Sequence, residues 1–205
     1  MKFYKLIFKL FLILLIASGS LFCTLLPEKK NPEKKNYLII PDKTKFKKGL
    51  KKFDYIKVSK LKISSYYEDK GFVYKYSDVH FESDFYNEFL TFPVANFQEI
   101  LNTWIVRTEI GELAPNIVPE EKLFHIGGHI LSLYGDFSDS KNPKAILEFD
   151  IYVQKATDST IIFKKTYSKS IKMKNSEPEQ LVLGWNKAIT DILLNFEKDV
   201  NKIKL

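Results

Sequence analysis

The clearest alternation of hydrophobic and polar positions lies in Ala145–Gln154, where apolar side chains fall on every second residue. A period of two is typical of a strand with one buried face. Lys155–Thr160 then has the composition of a turn, and Ile161–Ile171 repeats the alternation. The two segments are therefore predicted to pair as antiparallel neighbours in a β-meander.

Other segments rich in β-branched and aromatic residues are also predicted to form strands. They are Phe53–Ser64, Phe72–Tyr76, Val79–Phe85 and Leu123–Phe137. Two adjacent glycines, Gly127 and Gly128, indicate a bulge in the last of these strands. Leu113–Val118 is bounded by prolines, so a loop or a short edge strand is expected there.

Two segments have helical periodicity. Pro93 suits the first turn of a helix, because proline lacks an N–H that would be unpaired there. This helix is predicted to end near Thr108–Gly111, and its apolar positions are Val94, Phe97, Leu101 and Trp104. Before the second helix, Ser176 and Glu179 have the spacing of a capping box. Its apolar stripe comprises Leu181, Trp185, Ala188, Ile189, Ile192, Phe196 and Val200.

The order of these elements is strands, helix, strands and helix. That order is typical of an α+β fold, in which helices pack on an antiparallel sheet. We therefore predict a two-layer sandwich with a mostly antiparallel sheet and two helices packed on one face.

The first 22 residues have the pattern of a secretory signal peptide. Lys2, Lys5 and Lys9 precede an unbroken apolar run over Leu10–Ala17, and small residues follow it. The apolar run is shorter than the roughly 20 residues that span a membrane. Residues 1–22 are therefore predicted to direct export and to be removed.

Cys23, the only cysteine of the chain, follows this segment directly. A single thiol cannot form an internal disulfide, and its position resembles the acylated first residue of a bacterial lipoprotein. Lipidation of Cys23, for example with palmitate, would anchor the protein on the periplasmic side of the cell envelope, with the outer membrane as the expected membrane. Because Phe22 stands where a small residue is usual, an uncleaved signal anchor and cleavage near Ser20 stay open as alternatives.

Positive charge is concentrated near the N-terminus. The chain has a formal charge of +7; Thr24–Ile63 holds 13 lysines and 4 acidic residues, whereas Ser64–Leu205 holds 16 basic and 21 acidic residues. Residues 23–52 are predicted to be a lipidated Lys/Pro-rich tether, either a solvated linker or a segment lying on anionic lipid. The folded domain is predicted for residues 53–205. Its acidic balance argues against a nucleic-acid binder.

Residues that carry chemistry are sparse. His125 and His129 could share a metal on a helix, but in a strand they would lie about 13 Å apart, which is too far for one ion. The sequence has no phosphate-binding glycine motif and no nucleophile elbow. We therefore predict no catalytic residue, no cofactor and no metal site, and we do not expect an enzyme.

Aromatic residues are dense between Gly71 and Phe92. Two interpretations stay open: these side chains pack in the core, or they form a surface for a partner or a lipid. The candidate residues for such a surface are Phe72, Tyr74, Tyr76, Tyr86, Phe89 and Phe92.

The segment Tyr86–Pro93 runs Tyr-Asn-Glu-Phe-Leu-Thr-Phe-Pro into the first helix. This junction, together with the order of the later strands and helix, resembles the auxiliary lipoproteins of ABC-type transport systems. These are the intermembrane-transport lipoproteins associated with MCE-domain proteins. The resemblance covers roughly Tyr55 to Val200.

The resemblance implies a membrane-tethered, periplasm-facing, non-catalytic auxiliary subunit of an ABC/MCE-type lipid transport system. The implied partners are an MCE-domain protein and an ABC permease or ATPase, and a homo-oligomer is also open. The alternative is a structural or regulatory outer-membrane lipoprotein for envelope assembly, without a transporter partner.

Overall fold

The computed structural model of the protein describes residues 33–204. The predicted signal peptide, Cys23 and the first part of the predicted tether lie outside the described residues. Within the described range the chain forms nine strands in one mixed sheet and two α-helices. In order they are β1 Lys35–Tyr37, β2 Tyr55–Val58, β3 Lys62–Ile63, β4 Gly71–Lys75, β5 Phe81–Phe89, α1 Pro93–Thr108, β6 Glu112–Leu113, β7 Leu123–Asp136, β8 Lys144–Lys155, β9 Ile161–Lys172 and α2 Pro178–Val200.

The sheet is organised around β7. Its pairings with β8, and those of β8 with β9, are antiparallel over nearly the whole length of the strands, which confirms the predicted meander. The other edge of β7 is shared in succession by β2, β3 and β4, all parallel to it. Beyond these, β5 pairs antiparallel with β4, β1 pairs parallel with β5, and β6 pairs parallel with β2.

The single strand predicted over Phe53–Ser64 is two short strands, β2 and β3. Between them the chain turns Leu61 into the core, where its side chain is fully buried. The Leu61 amide donates to Gln98 Oε1 of α1 at 3.2 Å instead of to a neighbouring strand. The ladder is therefore interrupted where a helix supplies the hydrogen-bond acceptor.

Gly127 and Gly128 are in regular register opposite Tyr152 and Ile151, so the predicted bulge at the glycines is wrong. The irregularity of β7 falls between Ile130 and Ser132 instead. The glycines serve close packing across the ladder. A Cβ at Gly127 would overlap the Tyr152 ring, and a Cβ at Gly128 would lie 2.6 Å from the Phe149 ring.

Aromatic side chains from both helices join the sheet in one hydrophobic core. Phe97 of α1 packs edge-to-face on Phe149 of β8, with 5.7 Å between ring centroids. Trp185 of α2 packs edge-to-face on Phe72, with 5.1 Å between ring centroids. Its indole N–H donates to the Ile146 carbonyl at 3.1 Å. Such buried aromatic pairs add specific geometry to a large burial of apolar surface.

Both predicted helices are present, but the caps differ from the prediction at α2. Helix α1 begins at Pro93 and ends at Thr108, as predicted. Helix α2 begins at Pro178, and no side chain caps its first turn, so the predicted Ser176 capping box is wrong. Its Glu179 carboxylate accepts a hydrogen bond from the Tyr37 hydroxyl at 2.9 Å instead. Glu179 thus binds Tyr37, which is distant in the sequence, instead of taking part in a local capping box with Ser176.

The chain from Lys34 to Lys52 packs against the folded unit, so the predicted domain start at residue 53 is wrong. Ile39 is 1% exposed and Phe46 is also buried. The Ile40 amide donates to Asn186 Oδ1 of α2 at 2.7 Å. The compact unit therefore begins at Lys34, and the described part of the predicted tether is part of the domain.

Candidate functional site

The six aromatic residues predicted as a partner surface divide into two groups. Phe72, Tyr74 and Phe89 are buried in the core, so their place in the predicted surface is wrong. Side chains alternate between faces along a strand, and Phe72 and Tyr74 share the core-facing side of β4. The remaining three, Tyr76, Tyr86 and Phe92, are exposed.

Other exposed apolar residues were missed by the sequence interpretation. They are Tyr66, Val79, Phe81, Phe85 and Leu90. Tyr66 lies in the 3₁₀ turn Ser65–Tyr67, where no strand or helix period marks its direction. Phe85 lies in an irregular part of β5, so alternation along the strand does not predict its exposure.

One group of these residues lines a concavity that we call the tyrosine pocket. Its lining residues are Tyr66, Tyr67, Val73, Phe81, Glu82 and Ser83, and its cavity volume is about 520 Å³. That volume falls in the range of sites that accept small ligands or an anchoring side chain. The 3₁₀ turn before β4 supplies the two tyrosines, and the β4–β5 hairpin supplies the other walls.

The rings of the tyrosine pocket are held by Tyr134 of β7. Tyr67 stacks on Tyr134 with 6.1 Å between centroids, and Phe81 meets the same ring edge-to-face at 5.7 Å. Burial, and then the neighbouring Tyr134, raises the pKa of the Tyr67 hydroxyl. Tyr67 therefore stays neutral at physiological pH and can donate a hydrogen bond while its ring presents apolar surface.

A carboxylate lies beside this apolar surface. Glu82 is among the lining residues, but it pairs with Tyr74, so its carboxylate is on the core-facing side of the hairpin, 3.0 Å from His80 Nε2. Ser132 Oγ of β7 donates to Glu148 Oε2 at 3.3 Å on the same side of the sheet as Tyr134. Side chains two residues apart on a strand share a face, which places Ser132 and Tyr134 together. The pocket thus combines aromatic walls with negative charge at its border.

A second exposed group is carried by an irregularity in β5 that we call the β5 bulge, residues Asp84–Asn87. Val73 pairs with Ser83 and Gly71 pairs with Glu88, so these four residues of β5 stand opposite Phe72 alone. Extra residues in one strand leave the ladder and bend outward. This excursion is why β5 presents consecutive exposed aromatic residues.

The Asp84 carboxylate closes the β5 bulge. Its Oδ1 accepts hydrogen bonds from the amides of Tyr86 and Asn87 at 2.7 and 3.0 Å. Its Oδ2 accepts from the Tyr74 hydroxyl and from Asn87 Nδ2, both at 2.7 Å. Burial raises the pKa of Asp84, but the hydrogen bonds outweigh burial and hold the pKa below its usual value.

The exposed residues of this region form what we call the aromatic ridge: Phe85, Tyr86, Leu90 and Phe92. Phe85 and Tyr86 meet edge-to-face at 5.2 Å. Lysine amines lie over two of the rings. Lys34 Nζ is 4.5 Å from the Phe85 centroid, and Lys70 Nζ is 5.4 Å from the Phe92 centroid.

His125 and His129 lie in β7, four residues apart along one strand. Burial, and then the charge of Lys57, lowers the pKa of His125. Among residues 33–204, no group of three or more His, Asp or Glu side chains is arranged to hold a metal ion. No helix of this described range is both long and apolar enough to cross a bilayer.

The fold is similar to solved structures. One is the crystal structure of an uncharacterized protein, with a TM-score of 0.66 and 11% identity, covering 82% of this chain and 99% of that one. Another is a Xanthomonas campestris protein of family DUF330, with a TM-score of 0.59 and 7% identity, covering 73% and 89%. No protein-family model and no curated protein matches the sequence. At these identities the similarity shows the fold alone.

The predicted membership of the ABC auxiliary lipoprotein family is therefore wrong. The similar structures are a DUF330 protein and an uncharacterized protein. The junction that carried the resemblance is explained by packing. Phe89 lies 5.4 Å from the Trp185 ring in the core, and Pro93 occupies the first turn of α1.

Proposed function

We propose that the protein is an exported, membrane-tethered accessory protein of the cell envelope, without catalytic function, that binds a partner protein in the tyrosine pocket. The observation that carries this proposal is the pocket itself: about 520 Å³ lined by Tyr66, Tyr67, Val73 and Phe81 on the surface of the domain. Tyrosine is enriched at protein interfaces, because its ring offers large contact area at a small cost in entropy.

The position of the pocket follows from a finer description of the fold, which is part of the proposal. Phe149 contacts Phe97 of α1, and Ala145 lies directly beneath Gly184 of α2. Phe149 and Ala145 are four residues apart in β8, so their side chains are on the same face of the sheet. We infer a two-layer sandwich in which the helices cover this face and the tyrosine pocket opens on the other.

The chemistry of the pocket defines the partner segment. Aromatic walls favour an apolar side chain, and Glu148, whose charge contributes after burial to the raised pKa of Tyr67, favours a neighbouring lysine or arginine. Lys75 lies nearby, but its amine is paired with Asp78 at 3.0 Å. An apolar residue flanked by basic residues therefore fits this surface.

Tethering rests on the sequence. The signal pattern of residues 1–22 and the position of Cys23 support export and acylation. An MCE-domain protein with an ABC permease or ATPase, and an outer-membrane assembly factor, are the two partner classes that an experiment should separate.

Site-specific photo-crosslinking tests the proposal directly. A photoreactive phenylalanine analogue at Tyr66, which is 82% exposed, should crosslink one envelope protein in cells. The same analogue at Ile117, which is 92% exposed and outside the pocket, is the matched control and should not. Mass spectrometry of the crosslinked protein then identifies the partner class. Equal crosslinking from both positions, or none from Tyr66, would overturn the proposed binding site.

Fatty-acid labelling tests the tether separately. The protein should incorporate labelled palmitate, and Cys23→Ala should abolish incorporation. Label retained in Cys23→Ala, or absent from the natural sequence, would contradict the anchor and leave the pocket proposal standing on its own crosslinking result.

A further inference from the structure

The chain enters its folded unit beside the aromatic ridge. Lys34 is the first residue of the compact unit. Its amine lies over the Phe85 ring and pairs with Glu88 at 3.1 Å. Strand β1 then continues parallel to β5, pairing Lys35 with Asn87. The ridge and the start of the domain are therefore one local structure.

The chain between Cys23 and this structure is short. Only ten residues, Thr24–Glu33, separate them. Fully extended, they reach at most about 35 Å, at roughly 3.5 Å per residue. On the proposed function, in which Cys23 is acylated, Phe85 is thus held within a few tens of ångströms of the bilayer. The inference below rests on that proposal.

The composition of the ridge suits the boundary between lipid headgroups and acyl chains. Phe85 is 69% exposed, and Leu90 and Phe92 are also more than half exposed. Tyrosine and lysine are residues that place an apolar body in lipid and a polar end among headgroups. Lys70, positioned over the Phe92 ring, places an amine where a phosphate would lie, whereas the Lys34 amine over the Phe85 ring is shared with Glu88.

The local charges are nearly balanced, because Lys34 pairs with Glu88 and Lys35 with Glu179. Electrostatic attraction by these paired lysines is therefore weak, and burial of the exposed aromatic rings is the larger driving force that this surface offers for membrane contact. The β5 bulge fixes the position of the exposed Phe85 and Tyr86 rings. Asp84 holds the backbone of Tyr86 and Asn87 in place, so the rings project without ordering a flexible loop.

We infer that the aromatic ridge is the membrane-contact surface of the protein, with Phe85 and Tyr86 inserted at the surface of the phospholipid bilayer that carries the anchor. This orientation fixes the domain on the membrane by two points, the acylated Cys23 and the ridge. It leaves the tyrosine pocket to a partner protein.

Environment-sensitive fluorescence tests the inference. Because Cys23 is the only cysteine, a protein that begins at Thr24 can carry one new cysteine for a polarity-sensitive label. This protein retains the whole compact unit that begins at Lys34. An N-terminal histidine tag on nickel-chelating lipid replaces the acyl anchor, in vesicles of phosphatidylethanolamine and phosphatidylglycerol.

The label at Phe85→Cys should shift to the blue when the tethered protein meets these vesicles. The same label at Tyr66→Cys, exposed but in the tyrosine pocket, is the matched control and should not shift. Without the tether, the double variant Phe85→Ser and Tyr86→Ser should partition into vesicles about tenfold less than the unchanged protein. The circular dichroism spectra of the double variant and the unchanged protein should coincide, since the substituted side chains are exposed.

Specific outcomes overturn the inference. They are no shift at residue 85 in the tethered protein, equal shifts at residues 66 and 85, or unchanged partitioning of the folded double variant. These results are independent of acylation in cells. A shift at residue 85 with no fatty-acid label on Cys23 would support membrane contact by the ridge and contradict the acyl anchor. Acylated Cys23 with no shift at residue 85 would support the anchor and contradict membrane contact by the ridge.

Discussion

The Tyr74 hydroxyl donates a 2.7 Å hydrogen bond to Asp84 Oδ2, joining the core-facing side of β4 to the β5 bulge. Burial, and then this bond to the carboxylate, raises the pKa of Tyr74. The same bond helps to lower the pKa of Asp84. One hydrogen bond thus connects the interior with the segment that carries Phe85 and Tyr86.

Tyr74→Phe should lower the free energy of unfolding by about 1–3 kcal/mol, because Asp84 loses a donor in a half-buried position. Tyr66→Phe is the matched control and should change it by less than about 0.5 kcal/mol, since Tyr66 is exposed. Urea unfolding monitored by circular dichroism measures both. Equal stability of the two variants would show that the bond to Asp84 does not support the bulge.

The depressed pKa of Asp84 makes its contribution dependent on pH. A carboxyl whose pKa is lower in the folded state than in the unfolded state stabilises the fold above its unfolded value, here 3.8. That stabilisation is lost as the pH falls through the folded pKa. Asp84→Asn should therefore be less stable than the natural protein at neutral pH, and the difference should narrow in acid.

Urea midpoints at a series of pH values measure this narrowing. Asp69→Asn, at an exposed position before β4, is the control and should give a nearly constant difference. A constant difference for Asp84→Asn over the same range would contradict the role of its ionised form.

Ile39→Ala should destabilise the protein by about 2–4 kcal/mol, because it removes most of a side chain that is 1% exposed and leaves a cavity in the core. A solvated linker would tolerate this change. Leu50→Ala, in the same segment but 85% exposed, should have almost no effect. Thermal unfolding of the two variants distinguishes a packed segment from a tether, and equal melting temperatures would favour the tether.

Gly128→Ala should cost about 1–3 kcal/mol, since the new Cβ would lie near the backbone carbonyl of Asp150 as well as the buried Phe149 ring. Gly127→Ala should cost less, because the obstructing group is the end of the half-buried Tyr152 side chain, which can rotate away. Comparison of the two urea midpoints tests this order. A larger loss at Gly127 would mean that Tyr152 is fixed.

The elements that could be predicted from the sequence are those stabilised by their own periodic pattern. The β8–β9 meander and α1 have apolar positions at the spacing that their structure requires, and both are present where the pattern indicated. Helix α2 has the expected stripe, and Leu181, Trp185 and Phe196 are all buried.

The parts that could not be predicted depend on residues distant in the chain. Glu179 has the local spacing of a capping box, yet its partner is Tyr37. The segment around Ile39 has many lysines and prolines, yet acceptors on α1 and α2 bind its backbone. Local composition indicates a linker in such a case, because it contains no information about acceptors elsewhere.

The candidate site was predicted only in part for the same reason. Core packing and an exposed surface were both open for the aromatic residues, and each holds for part of the set: Phe72, Tyr74 and Phe89 are buried, whereas Tyr76, Tyr86 and Phe92 are exposed. Which rings face the solvent is decided by the four-residue excursion of β5 opposite Phe72, and this register depends on the partner strand.

The amide of Ile40 donates to Asn186, and the amide of Asp42 donates to Thr190 at 2.9 Å. Residues near the start of the folded unit thus find their partners on its last helix. In a chain exported from its N-terminus, the first domain residues to emerge wait for almost the last before their hydrogen bonds can form. On the proposed export from the N-terminus, the fold would therefore be completed only after α2 had crossed the membrane, and the chain would stay unfolded enough for translocation until then.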